Sequence, residues 1–417
     1  MKYGLLINEV NQNIGDDIQA YAEAQFLPRV DIMVDREHLD TFEYGDGQEP
    51  VALIMGAWFM WRKWNWPPAR QIVPLNVGYH HFNRKANLAK SSTSAVAITS
   101  QHYSGVGGQW FRDHGPVGCR DLYTCGIFDK AGIPNYFSGC VTLTLPEQPE
   151  TPDKGTYIVC VDLNKDVERK VVKLTGGQVE VRNTTHSTPN IKGATWEERK
   201  ARVEDLLTLY QNARYVVTRR LHVALPCLAM GVPVMVIQAK EMNDPHRFDP
   251  YRSWLHYCNN EDFLRDGYSD FDFVNGTPNS TEHLPYREKL IASMSEFARH
   301  CEENADESIE FFHQLSYTDE EEALWKIDFL RAALSRTHKE QKNLHKRFHE
   351  IEALLKHERA ERKVSLASVE ELSAKNKKLE GEIKRIKNSG SYKLATKIAI
   401  PVKAVKKAVR SIRNMRS

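Results

Sequence analysis

Short unbroken apolar runs alternate with segments of helical period through the first 147 residues. Residues 3–7 and 51–55 are apolar without strict alternation, residues 73–77 and 95–99 repeat the pattern, and residues 15–26 and 121–131 carry helical spacing. Strands that are apolar at successive positions are covered on both faces, so this part predicts a parallel α/β sheet. The polar, proline-rich stretch PEQPETPDK at residues 146–154 reads as a domain boundary. Beyond it, residues 157–161 and 179–182 predict strands and residues 196–212 a helix. A strand at 215–218, a helix at 221–230 stopped by Gly231, and a strand at 234–237 then make one βαβ unit.

From about residue 318 the period becomes a heptad. With Phe348, Leu355, Arg362, Val369, Asn376 and Ile383 at a, and Leu344, Ile351, Glu358, Ser365, Leu372, Leu379 and Ile386 at d, nine of these thirteen positions are apolar. That density over this length predicts a coiled coil and hence a homo-oligomer, with Asn376 suited to fixing register in a parallel dimer. The end of the chain changes again. Ile398, Val402, Val405, Val409 and Ile412 recur at helical spacing among Lys403, Lys406, Lys407, Arg410 and Arg413. Pro401 can open such a helix in its first turn. The expected layout is therefore 1–147, 155–317, a coiled coil at 318–388 and a basic amphipathic tail at 390–417.

Charge sharpens that layout. The chain carries +2 in total, of which residues 384–417 hold +11 with no acidic residue, leaving −9 for the rest. An amphipathic basic tail on an acidic body suits an anionic membrane surface. Nucleic acid is not expected as a partner, because Tyr392 is the tail's one aromatic and the body would repel phosphates. The longest apolar segment, 223–237, is broken by Pro226 and Pro233, so no membrane span is expected. Seven widely spaced cysteines without a CxxC pair fit reduced thiols in a cytoplasmic protein, with no metal site expected.

Three segments carry candidate chemistry. In NEVNQNIGDDIQA, residues 8–20, a turn at Asn13, Ile14 and Gly15 leads into a helix that opens on Asp16 and Asp17. Those carboxylates either cap the helix or bind ligand hydroxyls, and they would repel a phosphate. In VGCRDLYT, Arg120 and Asp121 stand between a strand and a helix N-terminus, either an anion site or a cap. In TRRLH, Thr218 ends a strand. Alternation puts Arg220 and His222 on one crevice, with Arg219 and Leu221 facing away, and His222 could move a proton near neutral pH. Gly56 ends another strand where a backbone can approach a ligand. Trp58, Trp61, Trp64 and Trp66 follow it, for sugar stacking or for packing. His80 and His81 read as surface residues, as do His338, His345, His349 and His357.

NIGDD, the RDxxT at residues 120–124, FSGCVTLTL at 137–145 and TRRLHVALPCLAMGVPVMVI together resemble the polysaccharide pyruvyl transferase family over roughly residues 3–260. The resemblance implies two Rossmann-like domains facing a cleft, as in glycosyltransferase-B folds. It also implies transfer of a pyruvyl group from phosphoenolpyruvate, as donor substrate and with no cofactor, to hydroxyls of a polysaccharide or lipid-linked glycan. The family's SRLH motif falls on residues 219–222, so that Arg220 and His222 match its arginine and histidine, and Arg120 matches the middle motif. Here Arg219 replaces a small hydroxyl residue, and FSGCVTLTL lacks an aspartate common in the family. The resemblance implies catalytic roles for His222, Arg220 and Arg120, with Asn13, Gly15, Asp16, Asp17, Gly56, Asp121, Thr218 and Arg219 about the substrates. His222 could serve as acid or as base. A glycan acceptor and the inner face of the cell membrane are the expected partners. The alternatives are a nucleotide-sugar glycosyltransferase gripping a diphosphate with Arg219 and Arg220, and a coiled-coil scaffold with an inactive head.

Overall fold

The computed structural model describes residues 1–9, 12–56, 66–81, 100–187, 193–239, 245–303, 316–390 and 393–394 of the 417. Residues 1–333 form one compact unit and residues 334–417 a second. The strand candidate at 95–99, Trp58, Trp61 and Trp64, and nearly all of the basic tail lie outside the described residues.

The first unit is built on parallel strands. In the N-terminal half, β1 (Lys2–Ile7), β2 (Ile32–Asp35), β3 (Val51–Ile54) and β4 (Ile72–Leu75) order as β2-β1-β3-β4, with α1 (Ile14–Ala24) between β1 and β2. After α2 (Gly105–Asp113), β5 (Val117–Cys119), α3 (Leu122–Lys130) and β6 (Asn135–Phe137) extend the layer. Gly118 N–H donates to the Asn76 carbonyl at 2.9 Å, and Tyr79 N–H to the Gly118 carbonyl at 2.9 Å, so β5 runs beside the chain that leaves β4. A buried 3-10 turn, Val141–Thr144, ends this half.

The second half holds β7 (Tyr157–Val161), α4 (Lys165–Leu174), β8 (Glu180–Thr184), α5 (Trp196–Gln211), β9 (Val216–Thr218), α6 (Leu221–Ala229), β10 (Val234–Gln238) and β11 (His256–Asn259). Its parallel sheet has the order β11-β10-β9-β7-β8. Every residue of β3, β7, β9 and β10 is buried, which accounts for their unbroken apolar runs. α7 (Asn260–Asp266) and α8 (Leu284–Glu303) complete this half.

One hydrophobic cluster spans both sheets. It joins Ile7 and Ile54 to Val159 and Val216 through Ile18 of α1, Leu207 of α5, Val223 of α6 and Leu143 of the 3-10 turn. The segment at 146–154 runs along the end of α5. Thr151 N–H donates to Asn212 Oδ1 at 2.7 Å, and Asn212 Nδ2 donates to the Pro149 carbonyl at 3.0 Å. Trp66, which the sequence left between stacking and packing, is a core residue. It is buried against Trp110 and Phe111 with ring centroids 4.7 Å away in each case.

A single helix, α9, runs Asp319–Asn388. A capping box starts it: Glu321 N–H donates to Thr318 Oγ1, and Glu321 Oε2 accepts from Thr318 N–H at 2.7 Å. Its first turns are fixed in the first unit, where Arg70 Nη2 meets Asp319 at 2.9 Å and the Trp325 indole lies over Gly105 and Gly107. Within the second unit, the apolar a and d side chains from Leu344 to Ile386 are 45–64% exposed. No helix among the described residues is long and apolar enough to cross a membrane. All seven cysteines are free.

Candidate functional site

The carboxyl ends of parallel strands in both sheets supply the site, which is where open α/β sheets place ligands. Arg120 follows β5 directly, and its backbone is held on two sides. Its N–H donates to the Tyr79 carbonyl at 2.8 Å, and its carbonyl accepts the Tyr251 hydroxyl at 2.5 Å. The side chain is 1% exposed. Nη1 lies 3.5 Å from His222 Nε2, the long end of hydrogen-bond range, while the buried Nε and Nη2 make no hydrogen bond among the described residues. A buried guanidinium left this bare is costly, and an anion would supply the missing acceptors.

His222 comes from the first turn of α6. Its φ and ψ of −79° and 16° lie off helical values, and Val223 N–H bonds back to the Arg220 carbonyl in a tight turn. The ring is 2% exposed. Burial, and then the positive charges of Arg247 and Arg120, hold the imidazole well below its ordinary pKa, so it is neutral near pH 7. A guanidinium can only donate, so the hydrogen-bond geometry assigns the lone pair to Nε2 and the hydrogen to Nδ1. Gly15 makes this position possible. A Cβ there would fall 2.9 Å from His222 Nδ1 and 3.1 Å from His222 Cβ, so only glycine lets the start of α1 lie against the imidazole.

Two carboxylates brace basic side chains around the site. Asp121 caps α3 through Thr124 N–H at 2.8 Å and meets His80 Nδ1 at 2.6 Å. That contact corrects the expected surface position of His80, which is buried, while the partly buried His81 bonds the Tyr103 hydroxyl. Both follow β4 and are folded under α3, a tertiary effect that adjacent polar histidines do not advertise. Asp162, just past β7, adopts φ 53° and accepts Arg220 Nε at 2.7 Å, Thr185 Oγ1 at 2.6 Å and His186 N–H at 3.1 Å. Arg220 is therefore anchored through Nε to a carboxylate, with its side chain 34% exposed. The alternation expected for residues 219–222 fails because β9 stops at Thr218 and Arg220 is already the N-cap of α6. Arg219 is exposed, and its carbonyl accepts Gln238 Nε2. Thr218 Oγ1 accepts Arg220 N–H at 2.9 Å.

The remaining candidates serve the scaffold. Asn13 Oδ1 caps α1 at Gly15 N–H, and Ile14 N–H bonds the His186 carbonyl, tying this loop to the second sheet. Asp16 and Asp17 are buried, and neither carboxylate stands open for hydroxyls as the sequence suggested. Arg36 Nη2 binds Asp16 Oδ2 at 2.9 Å, and Arg199 Nη1 binds Asp17 Oδ1 at 2.8 Å. At Gly56 a Cβ would sit 2.4 Å from Glu23 Oε1 and 2.6 Å from Val141, so its smallness serves close packing.

Sequence reasoning missed Arg247, His186, Asp162 and Tyr251. Asp162 carried a readable signal, a carboxylate directly after the wholly apolar strand YIVCV. His186 is buried, with Nε2 3.0 Å from the Tyr210 hydroxyl, and burial pushes it down to about 3.

The model of one family, described as polysaccharide pyruvyl transferase, matches residues 13–240. No curated protein matches. Among solved structures, a functionally uncharacterised protein of Klebsiella pneumoniae subsp. pneumoniae aligns at 13% identity and a TM-score of 0.33, over 62% of this chain and 92% of that one. The UDP-GlcNAc 2-epimerase of Methanocaldococcus jannaschii aligns at 10% identity and 0.36, over 73% and 100%.

Proposed function

The chain belongs to the polysaccharide pyruvyl transferase family, and on that premise we propose that it transfers a pyruvyl group from phosphoenolpyruvate to two hydroxyls of a glycan or lipid-linked glycan precursor. The observation that carries the donor assignment is Arg120, a buried guanidinium with two unbonded nitrogens beside a neutral histidine. A donor with a carboxylate and a phosphate supplies acceptors to both, and the arginine stabilises the departing phosphate.

One imidazole suffices for the proton transfers. Neutral His222 takes the proton of the first attacking hydroxyl at Nε2 and returns it to the methylene carbon of the donor, which becomes the methyl group as the C–O bond forms. The second hydroxyl then displaces phosphate, and its proton leaves with the phosphate. Arg220 orders this site from behind by holding Asp162 in place. In this reading α9 pairs with a second copy of the chain, and the basic tail docks the enzyme on the inner membrane face near a lipid-linked acceptor.

The test is incubation of purified protein with phosphoenolpyruvate and candidate glycans, following phosphate release and the ketal methyl resonance by NMR. Release that depends on both substrates, and is lost in Arg120→Gln and His222→Gln, is the expected result. Turnover of a nucleotide sugar with no release from phosphoenolpyruvate would overturn the proposal.

A further inference from the structure

We propose that the cavity at the carboxyl ends of β1 and β2, rimmed by Glu9 and Asp35, binds one sugar ring of the acceptor. This rests on the reading of the chain as a transferase acting on a glycan, and it sets the acceptor apart from the anionic donor by charge.

Both halves of the first unit build the walls. Ile7 and Asp35 are partners in the β1–β2 ladder, and Arg36 N–H continues it to the Ile7 carbonyl at 2.8 Å. After Ile7 the chain leaves the sheet, and the buried guanidinium of Arg199 in α5 holds it. Nη1 donates to the Asn8 carbonyl, Nη2 to the Glu9 carbonyl and Nε to the Ala194 carbonyl, each at 3.3 Å. One side chain thus staples the exit of β1 to the start of α5, where Thr195 is the N-cap. A cavity of about 260 Å³ opens there, with Ile7 and Met33 as apolar lining and Glu9, Asp35 and Thr195 as polar lining. A drug-sized ligand takes roughly 300–1,000 Å³, so this space suits a single pyranose.

Charge selects the ligand. Arg199 is the one cation in the lining among the described residues, and its Nη1 is paired with Asp17 Oδ1 at 2.8 Å. The carboxylates of Glu9 and Asp35 then set the sign, so phosphoenolpyruvate is repelled here while sugar hydroxyls gain strong acceptors. Asp35 is held ready for one. Its Oδ1 accepts Glu37 N–H at 3.2 Å and its Oδ2 meets His38 Nδ1 at 2.6 Å, and a carboxylate has further lone pairs for a hydroxyl. Ile7 and Met33 offer apolar surface to the C–H face of the ring. The hydroxyl-binding role expected of Asp16 and Asp17, which are held by Arg36 and Arg199, falls to Glu9 and Asp35. The loop that carries Glu9 also continues to Gly15, which lies against His222.

The test uses full-length wild type, Glu9→Ala, Asp35→Asn, Ala194→Trp and Asp205→Asn, with melting curves for each. Every chain is titrated with the methyl pyranosides of glucose, galactose, mannose and N-acetylglucosamine, followed by saturation-transfer NMR, and with phosphoenolpyruvate by calorimetry. Ala194 lines the cavity, so a large side chain there fills it, and Asp205 is an exposed carboxylate elsewhere on α5. Expected are binding of at least one glycoside by wild type, a loss of about tenfold in Glu9→Ala and in Asp35→Asn, no binding to Ala194→Trp and no change in Asp205→Asn. Phosphoenolpyruvate affinity stays at the wild-type value throughout, and in turnover KM for the glycan rises more than kcat falls. Wild-type glycoside affinity in Glu9→Ala, or in a folded Ala194→Trp, overturns the assignment. If wild type binds phosphoenolpyruvate but no glycoside, the cavity assignment falls and the donor reading stands. If a glycoside binds and Ala194→Trp removes it while phosphoenolpyruvate does not bind, the donor reading falls and the sugar site stands. If wild type binds neither, both fall.

Discussion

Gly15 and His222 carry the sharpest consequences at the scale of single residues. A methyl group added at residue 15 meets the imidazole at under 3 Å, so Gly15→Ala must displace either the start of α1 or the ring. Displacing a proton-transfer group by about 1 Å costs on the order of 10²-fold in rate, so kcat should fall at least tenfold while the variant stays folded. Normal turnover with an unshifted melting point would contradict that packing. His222 and His186 also tie stability to pH. Both are held below their ordinary values in the folded chain, so below about pH 6.5 the unfolded chain takes up protons that the folded chain refuses. Stability is complete above that pH and falls below it. The loss reaches about 1.4 kcal/mol by pH 5.5 for His186, held at about 3, and His222 adds to it in the same direction. Urea unfolding at pH 7.5 and 5.5 measures the loss, and His186→Asn should make it smaller by about the 1.4 kcal/mol that His186 contributes.

At the scale of elements, α1 is held to the rest of the unit by two buried ion pairs, Asp16 with Arg36 and Asp17 with Arg199 of α5. Burial raises the pKa of Asp17 and Arg199 opposes that rise, so removing the arginine strands a buried carboxyl group. Arg199→Ala should destabilise by about 3–5 kcal/mol, and Arg199→Ala with Asp17→Asn by clearly less, measured as a double-mutant cycle in urea. The two carboxylates also show where legibility stops. NIGDD shows that Asp16 and Asp17 open a helix, but their partners lie 20 and 182 residues away, and no local pattern encodes them. Buried strands such as β3, β7 and β10 were legible because both faces are covered, so each reads as an apolar run. The four-residue β2 is only partly buried, and α4 buries only Val167 and Val171 among charged residues. Arg120, Asp121 and His222 could be placed from strand ends. The segment that carries Arg247 could not, because its place depends on the His246 ring stacked on Tyr123 and the Tyr251 hydroxyl bonded to the Arg120 carbonyl.

For the whole molecule, the two ends of the sequence ask for different environments. α9 presents apolar a and d residues that are 45–64% exposed, a large apolar surface to leave in water, and a second copy of the same helix offers matching holes for them. Full-length protein should therefore sediment as a dimer, and Leu372→Asp with Leu379→Asp should return it to monomer without altering the rate per chain. A monomeric wild type would remove the coiled coil. The tail is set apart by charge, +11 in the last 34 residues against −9 in the rest, and the proposed docking on anionic lipid rests on that contrast. Basic residues near such a surface contribute on the order of 1 kcal/mol each, within a Debye length of about 10 Å at 0.1 M salt. A dimer would bring two tails to one vesicle, so the second binds at high local concentration and affinity multiplies. Cosedimentation with phosphatidylserine vesicles should thus be strong for wild type and weaker for the Leu372→Asp, Leu379→Asp chain. It should be lost on deletion of residues 395–417 and reduced by salt in every case. Equal binding by the monomeric variant would separate the two features and leave α9 with no part in membrane attachment.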